Sequence, residues 1–378
     1  MSLLFQPQRL RSLELFNRIH IAPMCQYQAT AHDGVPTDWH TAHWAQMAMS
    51  GAALFWIEAT GVSPEGRISP ACLGLWNDTQ AEAFARHLHL ARKHSDAAIG
   101  IQLGHAGRKA GCNLPWLGAA QLGLDEGGWV TRAPSSIPHK PHEREPLALT
   151  LDDLKQVRRD FVDAAIRARD IGIDTLQLHA THGYLLHQFL SPLSNQRTDA
   201  YGGSFDNRIR LVLEVLADVR EVWPEHKPLC VRIPSTDWME YAQGGSDAQG
   251  WTLEQAVALS QALAQAGVDW IDVSSGGLHP EQAITVGPAY HAEASQRIRR
   301  AVDVPVSVAG LITEPVQAES LLVTGAADAV CLARALLWNP RWPWMAAAQL
   351  GASVPTAASY LRAAPQAYSQ VLKPRTRA

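Results

Sequence analysis

Short apolar runs alternate with longer stretches of helical periodicity along the whole chain. The runs fall at Ile19–Pro23, Leu54–Ala59, Ala98–Leu103, Thr175–His179, Leu229–Ile233, Trp270–Ser274, Pro305–Ala309 and Ala329–Leu332. Each is only a few residues long and mostly apolar, as parallel strands buried on both faces must be. Helical patterns follow them at Thr41–Met49, Asp78–Lys93, Leu151–Asp170, Asp206–Val222, Leu253–Gln265, Ala292–Ala301, Glu314–Leu322 and Pro340–Leu350. Eight β–α repeats in this order predict an α/β fold, a closed (β/α)8 TIM barrel. A doubly wound open sheet is the competing arrangement, but no G-x-G-x-x-G follows any of the runs.

Local signals frame the helices. Thr150 caps an acidic first turn, Leu151-Asp152-Asp153, and Thr252-Leu253-Glu254-Gln255 reads as a capping box. Gly172, Gly267 and Gly325 stand where helices must end and the chain turns back. No linker interrupts the pattern, so one barrel domain over residues 1–378 is expected, with 351–378 as an extension beyond the eighth helix. Two connections exceed simple turns. Gly104–Thr150 follows the third strand, and His182–Phe205 follows the fourth. Long ordered loops are usually functional, and loops after strands lie on the active face of a barrel.

Composition narrows the classes. The 378 residues carry 32 basic and 36 acidic side chains, a net charge of −4, with no long run of either sign. Nucleic acid and membrane surfaces are therefore not expected partners. No apolar stretch reaches the length of a membrane span, and the start of the chain lacks a basic segment followed by an apolar run. Five cysteines, none at C-x-x-C spacing, argue against a zinc ribbon, an iron–sulfur cluster or a disulfide framework. A reducing cytoplasm is the expected compartment.

The unusual polar residues gather at strand C-terminal ends, the pattern of a barrel active site. His179 and His182 admit three readings: metal ligands at H-x-x-H spacing, imidazoles satisfied by local hydrogen bonds, or paired donors to a substrate carbonyl. No nearby acid completes a metal set, and Tyr184 two residues on is a candidate proton donor. Arg232 in an apolar strand needs an anion, either a structural partner or the edge of a reduced flavin. Gly310 and Arg334 follow strands seven and eight, where barrels commonly bind phosphate. Cys25, Cys112 and Cys331 read as small buried apolar residues. Trp116 and Trp129, in the long third loop, are candidates to line a cleft.

The chain resembles the Old Yellow Enzyme family, near its bacterial xenobiotic reductases and NADPH dehydrogenases. The likeness rests on Asn17-Arg18, Ala22-Pro23-Met24-Cys25-Gln26-Tyr27, Asp38-Trp39-His40, Glu58-Ala59-Thr60, Pro64-Glu65-Gly66-Arg67, Gln102, His105-Ala106-Gly107-Arg108-Lys109 and Ala133-Pro134-Ser135. It continues in His179-x-x-His182-Gly183-Tyr184, in Asn195-x-Arg197-Thr198-Asp199-x-Tyr201-Gly202-Gly203-Ser204-x-x-Asn207-Arg208, and in Ser274-Ser275-Gly276-Gly277.

The resemblance implies non-covalent FMN, reduced by NADPH or NADH. Pro23, Met24, Cys25 and Ala59 would lie against the isoalloxazine, with Cys25 tuning its potential. Gln102 and Arg232 would bond its pyrimidine edge, and Gly310, Ala333 and Arg334 its phosphate region. His179 and His182 would hold the carbonyl of an enone or enal, Tyr27 would line the pocket, and Tyr184 would protonate the alkene in a ping-pong ene-reduction. A homodimer or dimer of dimers is implied, with Arg362 reaching a neighbour's substrate pocket. No metal is expected.

Four departures touch substrate size rather than chemistry. They are Gly104 in place of an alanine, Pro234 two residues after Arg232, where it would tilt the strand end, a Gly-rich insertion at Ala242–Gly250, and Ala309 without a nearby aromatic. The rivals are a metal-dependent barrel hydrolase using His179 and His182, and a non-catalytic flavin-binding barrel. A dienoyl-CoA reductase would carry a cysteine-rich cluster segment and further nucleotide-binding domains, absent from this sequence.

Overall fold

The computed structural model describes residues 2–239 and 250–375. The insertion expected at 242–250 lies outside them except for Gly250. Eight strands form a closed parallel barrel: β1 (Ile19–Ile21), β2 (Leu54–Gly61), β3 (Ala98–Gly104), β4 (Thr175–His179), β5 (Leu229–Pro234), β6 (Trp270–Ser274), β7 (Val306–Val308) and β8 (Ala329–Leu332). Each pairs with the next, and β8 closes on β1. Strand residues are buried almost throughout because helices cover the outside and side chains fill the inside.

The barrel floor is aromatic. Trp56 and Trp270 meet edge to face at 5.6 Å, and His20 leans on Trp270 at 4.8 Å. Gly100 makes room for this layer, since a Cβ there would lie 2.3 Å from the Trp56 ring. Below it an N-terminal hairpin, Gln8–Leu10 with Leu13–Leu15, turns Leu10 and Leu15 into the same cluster. Polar alternation over so few residues does not announce that hairpin in the sequence.

The helices form where capping and periodicity place them. Thr150 accepts from the Asp153 backbone at 3.1 Å, and Leu151–Asp170 then buries Leu154, Val157, Phe161, Ala164, Ala165 and Ala168, one helical stripe. Thr252 caps Leu253–Gln265 in the same way. Gly172, Gly267 and Gly325 all take positive φ just past helix ends.

Some boundaries differ from expectation. The first helix is Asp38–Ala48, not Thr41–Met49, because Thr37 and His40 form a capping box three residues earlier. The expected Pro340–Leu350 helix is present as Trp342–Gln349, and a short helix before it, Arg334–Trp338, went unread; Pro340 keeps the two apart. Pro234 does not tilt the end of β5, whose ladder to β6 runs through the Pro234–Ser274 pair. A short helix, Leu185–Leu190, went unread within the fourth loop.

Residues 351–375 fold back as two short parallel strands, Val354–Thr356 and Leu372–Pro374, with 3-10 turns between. Val354, Val371 and Leu372 pack with Ala347, against Phe5 and Trp344. The tail borders Ser95 and Asp96, just before β3, which is the barrel end opposite the strand C-termini.

The buried imidazoles set an acid limit. Burial pulls His20 down to about 3, and His105 and His291 to about 4. In the unfolded chain each takes a proton below roughly pH 6.5. Folded values below unfolded ones mean that this stability is fully present above about pH 6.5 and is lost as pH falls through 4 and below. Each histidine contributes about 1.4 kcal/mol per pH unit in that window. Thermal denaturation should show Tm falling steeply from about pH 6.5 to 4. A level Tm over that range would mean that these rings are not held neutral.

Candidate active site

At the strand C-terminal ends lies a cavity of about 230 Å³, bordered by Pro23, His182, Arg232, Ser274, Gly310, Ala333 and Arg334 among others. Six of the residues expected from the sequence thus meet in one space, drawn from both sides of the β8–β1 closure and from β4 and β5. Ala59, His179 and Tyr184 border a neighbouring narrow cleft with Gly104 and His105. The loop after β1 carries Pro23, Met24, Cys25 and Tyr27, all half-buried where adjacent strand residues are fully covered. Tyr27 holds φ 55° and meets Trp116 edge-on at 6.0 Å. Trp129 faces Arg67 instead and donates to the Glu65 carbonyl.

The histidine pair is tightly placed. His182 Nδ1 and His179 Nε2 face each other at 3.4 Å, and His182 Nε2 lies 2.9 Å from the Ser274 hydroxyl. Burial first, then Arg232, holds both imidazoles well below the ordinary histidine range, so both are neutral at pH 7. A serine O–H donating to His182 Nε2 leaves the proton on Nδ1, aimed at the gap between the rings. Tyr184 stands edge-on to His179 at 4.9 Å. Burial keeps its phenol well above the usual range, so it remains protonated. Among the described residues, no group of three or more His, Cys, Asp or Glu side chains is arranged as a metal site.

The loop that carries them is strained and clamped. His182 has φ 60°, rare for a non-glycine residue. Lys109 Nζ donates to the carbonyls of His182 and Gly277, at 2.7 Å each, and lies 5.0 Å from the centre of the Tyr184 ring. Gly183 donates to His187 Nδ1, whose Nε2 meets Asp237 at 2.9 Å. Lys109 sits in a motif quoted for the family but was assigned no role. Its place next to His105 and Arg108, on a loop leaving β3, was the available signal.

Arg232 has the structural partner that one reading required, and it also borders the cavity. Nε lies 3.0 Å from Asp272 Oδ2 in the barrel interior, without hydrogen-bond alignment, while the guanidinium borders the cavity. Asp272, Gln177 and Ser274 complete this region and were not expected. The signal for Asp272 was a second charge in an apolar strand adjacent to that of Arg232. Gln102 is buried in β3 and donates to Gln177. Cys25 has its thiol held up by burial, then by Cys72 and Glu58, so it is a thiol rather than a thiolate nucleophile.

The residues fit an FMN. Gln102 Oε1 has no protein partner among the described residues. Arg334 is exposed at the cavity with no ion-pair partner among them. Gly310, at φ 123°, lets the backbone approach where a Cβ would sit 2.9 Å from His291 Nδ1. Arg362 is exposed on the tail and borders neither space in its own chain.

Residues 3–352 match the NADH:flavin oxidoreductase / NADH oxidase family. The chain belongs to that family, the Old Yellow Enzymes, and works with FMN and NAD(P)H. It is 44% identical over 360 residues to an NADH:flavin oxidoreductase of Gibberella zeae, covering 93% of this chain and 86% of the relative. It is 40% identical over 361 residues to an NADPH dehydrogenase of Geobacillus thermodenitrificans, covering 96% and 98%. Morphinone reductase shares the fold with a TM-score of 0.74 at 24% identity, over 98% of this chain and 96% of that one.

Gly183 tests the clamp. It has φ 73°, and a Cβ there would lie 2.0 Å from the Gly277 carbonyl oxygen. Gly183→Ala should cost about 1–3 kcal/mol or more in denaturant unfolding. Wild-type stability in that variant would show that the loop is free to move.

Proposed function

We propose that this enzyme is an ene-reductase, reducing the activated C=C bond of α,β-unsaturated carbonyl compounds in a ping-pong cycle with NAD(P)H. The observation that carries this reading is the convergence of His179 Nε2 and His182 Nδ1 beside the protonated Tyr184. Bound FMN supplies the hydride relay between the nicotinamide and the alkene. In this reading Pro23, Met24, Cys25 and Ala59 lie along its ring, Gln102 and Arg232 hold its pyrimidine edge, and Gly310, Ala333 and Arg334 hold its phosphate.

The two neutral imidazoles hold the carbonyl oxygen between them. Fixed N–H donors stabilise an oxygen that becomes negative during reduction, and they need no rearrangement to do so. Their neutrality matters, because an imidazolium would protonate the oxygen outright. Tyr184 gives its phenolic proton to Cα, and Tyr27 closes the outer wall. The half-exposed loop after β1 shapes the entrance. The cysteines, all free, accord with the cytoplasmic compartment expected from the sequence.

Tyr184→Phe separates the steps. Flavin reduction by NAD(P)H should stay near the wild-type rate, while alkene reduction slows about 10²–10⁴-fold. Stopped-flow traces in which both halves slow equally would leave Tyr184 a structural part only. A second expectation concerns the tail. In this reading the chain is a homo-oligomer built of dimers, and Arg362 serves the neighbour's pocket, since its own lies at the far end of the barrel. Deleting residues from Gly351 onward should raise KM and weaken dimers while FMN stays bound. A monomeric wild type by light scattering, or unchanged kinetics after truncation, would reject the shared site.

A further inference from the structure

Inside the barrel, beneath the cavity, a row of polar side chains crosses neighbouring strands. Asp272 on β6 is fully buried. Its Oδ1 accepts from the Ser307 hydroxyl at 2.8 Å, and its Oδ2 faces Arg232 Nε at 3.0 Å and Gln177 Nε2 at 3.3 Å. Gln177 Oε1 in turn accepts from Gln102 Nε2 at 2.6 Å. Gln102 Oε1 accepts no hydrogen bond among the described residues.

The direction of the row follows from chemistry. A side-chain amide fits equally well either way round, and only its neighbours decide. A carboxylate offers acceptors alone. Gln177 must therefore turn its NH2 to Asp272 and its oxygen to Gln102. Gln102 must answer with its NH2, which leaves its oxygen free for another donor. Burial pushes the Asp272 carboxyl up, while Arg232, Ser307 and Gln177 pull it back down. Contact with a guanidinium in a closed interior keeps the pair ionised together.

We infer that Asp272 is a positioning residue for the flavin: through Gln177 it dictates which end of the Gln102 amide meets the cofactor, and directly it holds the Arg232 guanidinium beside it. The inference rests on the placement of the pyrimidine edge proposed above. That edge carries an imide N–H between two carbonyl oxygens. An acceptor from Gln102 beside a permanent donor from Arg232 matches it. A reversed Gln102 would set N–H against N–H in a buried site.

The test removes the relay and asks whether it acts through Gln102. Asp272→Asn is no probe, because its oxygen would stay toward the donors Arg232 and Gln177 while its NH2 turned to the Ser307 oxygen. Gln177→Leu leaves the Asp272–Arg232 pair intact and deletes the bond that orients Gln102. Fluorescence titration of the apoprotein with FMN should show Kd raised severalfold, up to about 10-fold, the cost of a misdirected buried amide. Gln102→Leu should also weaken FMN, and in that background Gln177→Leu should add nothing. General damage to the barrel would instead persist in the double variant. An unchanged Kd in Gln177→Leu, or losses that add in the double variant, would overturn the relay while leaving the flavin placement standing. An unchanged Kd in Gln102→Leu alone would overturn the placement itself.

Discussion

A charge enclosed by a barrel has to be answered inside the barrel. Arg232 is that charge here, and Asp272 on the adjacent strand answers it. Isolated, either ion would cost several kcal/mol to desolvate, so neither is tolerable without the other. The consequence spreads outward. Asp272 orders Ser307 and Gln177, Gln177 orders Gln102, and Arg232 lowers the affinity of both site histidines for protons. The electrostatic state of the pocket is thus set largely from beneath, by a network of which Arg232 borders the cavity.

Two layers of the barrel do different work. The floor, with Trp56, Trp270 and His20, is a packing solution that any closed barrel must find. Above it, successive strands carry Gln102, Gln177, Arg232 and Asp272 in the interior instead of aliphatics. The upper layer gives up hydrophobic burial for hydrogen bonds with a fixed sense, which is how a buried polar network confers specificity rather than bulk stability. The site is then completed by loops whose strained turn at His182 is held by Lys109 and by His187.

Much of this was legible in the sequence, and the reasons are physical. Two-sided burial gives parallel strands a short apolar signature, so all eight were placed within a residue or two. Helix ends with a Thr cap or a positive-φ glycine were placed closely, as at Leu151–Asp170 and Leu253–Gln265. Arg334–Trp338 was missed because five residues directly after a strand are too few to show helical periodicity. Pro23, His182, Arg232, Gly310, Ala333 and Arg334 meet in one cavity as strand-end residues should. Asp272 was missed because one charge in an apolar strand reads as an anomaly, and only the strand register shows that two anomalies are partners. Lys109 was missed because its contacts are backbone carbonyls of remote loops, which no local pattern encodes.

The clamp on His182 has an evolutionary side. Its backbone is held by Lys109 from the third loop and crowded by Gly277 from the sixth, so three loops must agree before the donors stand correctly. A part that depends on so many others drifts slowly. The facing wall is different: Trp116 is largely exposed, touches Tyr27 by an edge, and lies further along the third loop than the clamping Lys109. Exposed loop residues tolerate exchange far better than coupled buried ones. Lineages with this architecture can therefore diversify what they accept by rewriting that wall, while the chemistry behind it is inherited unchanged.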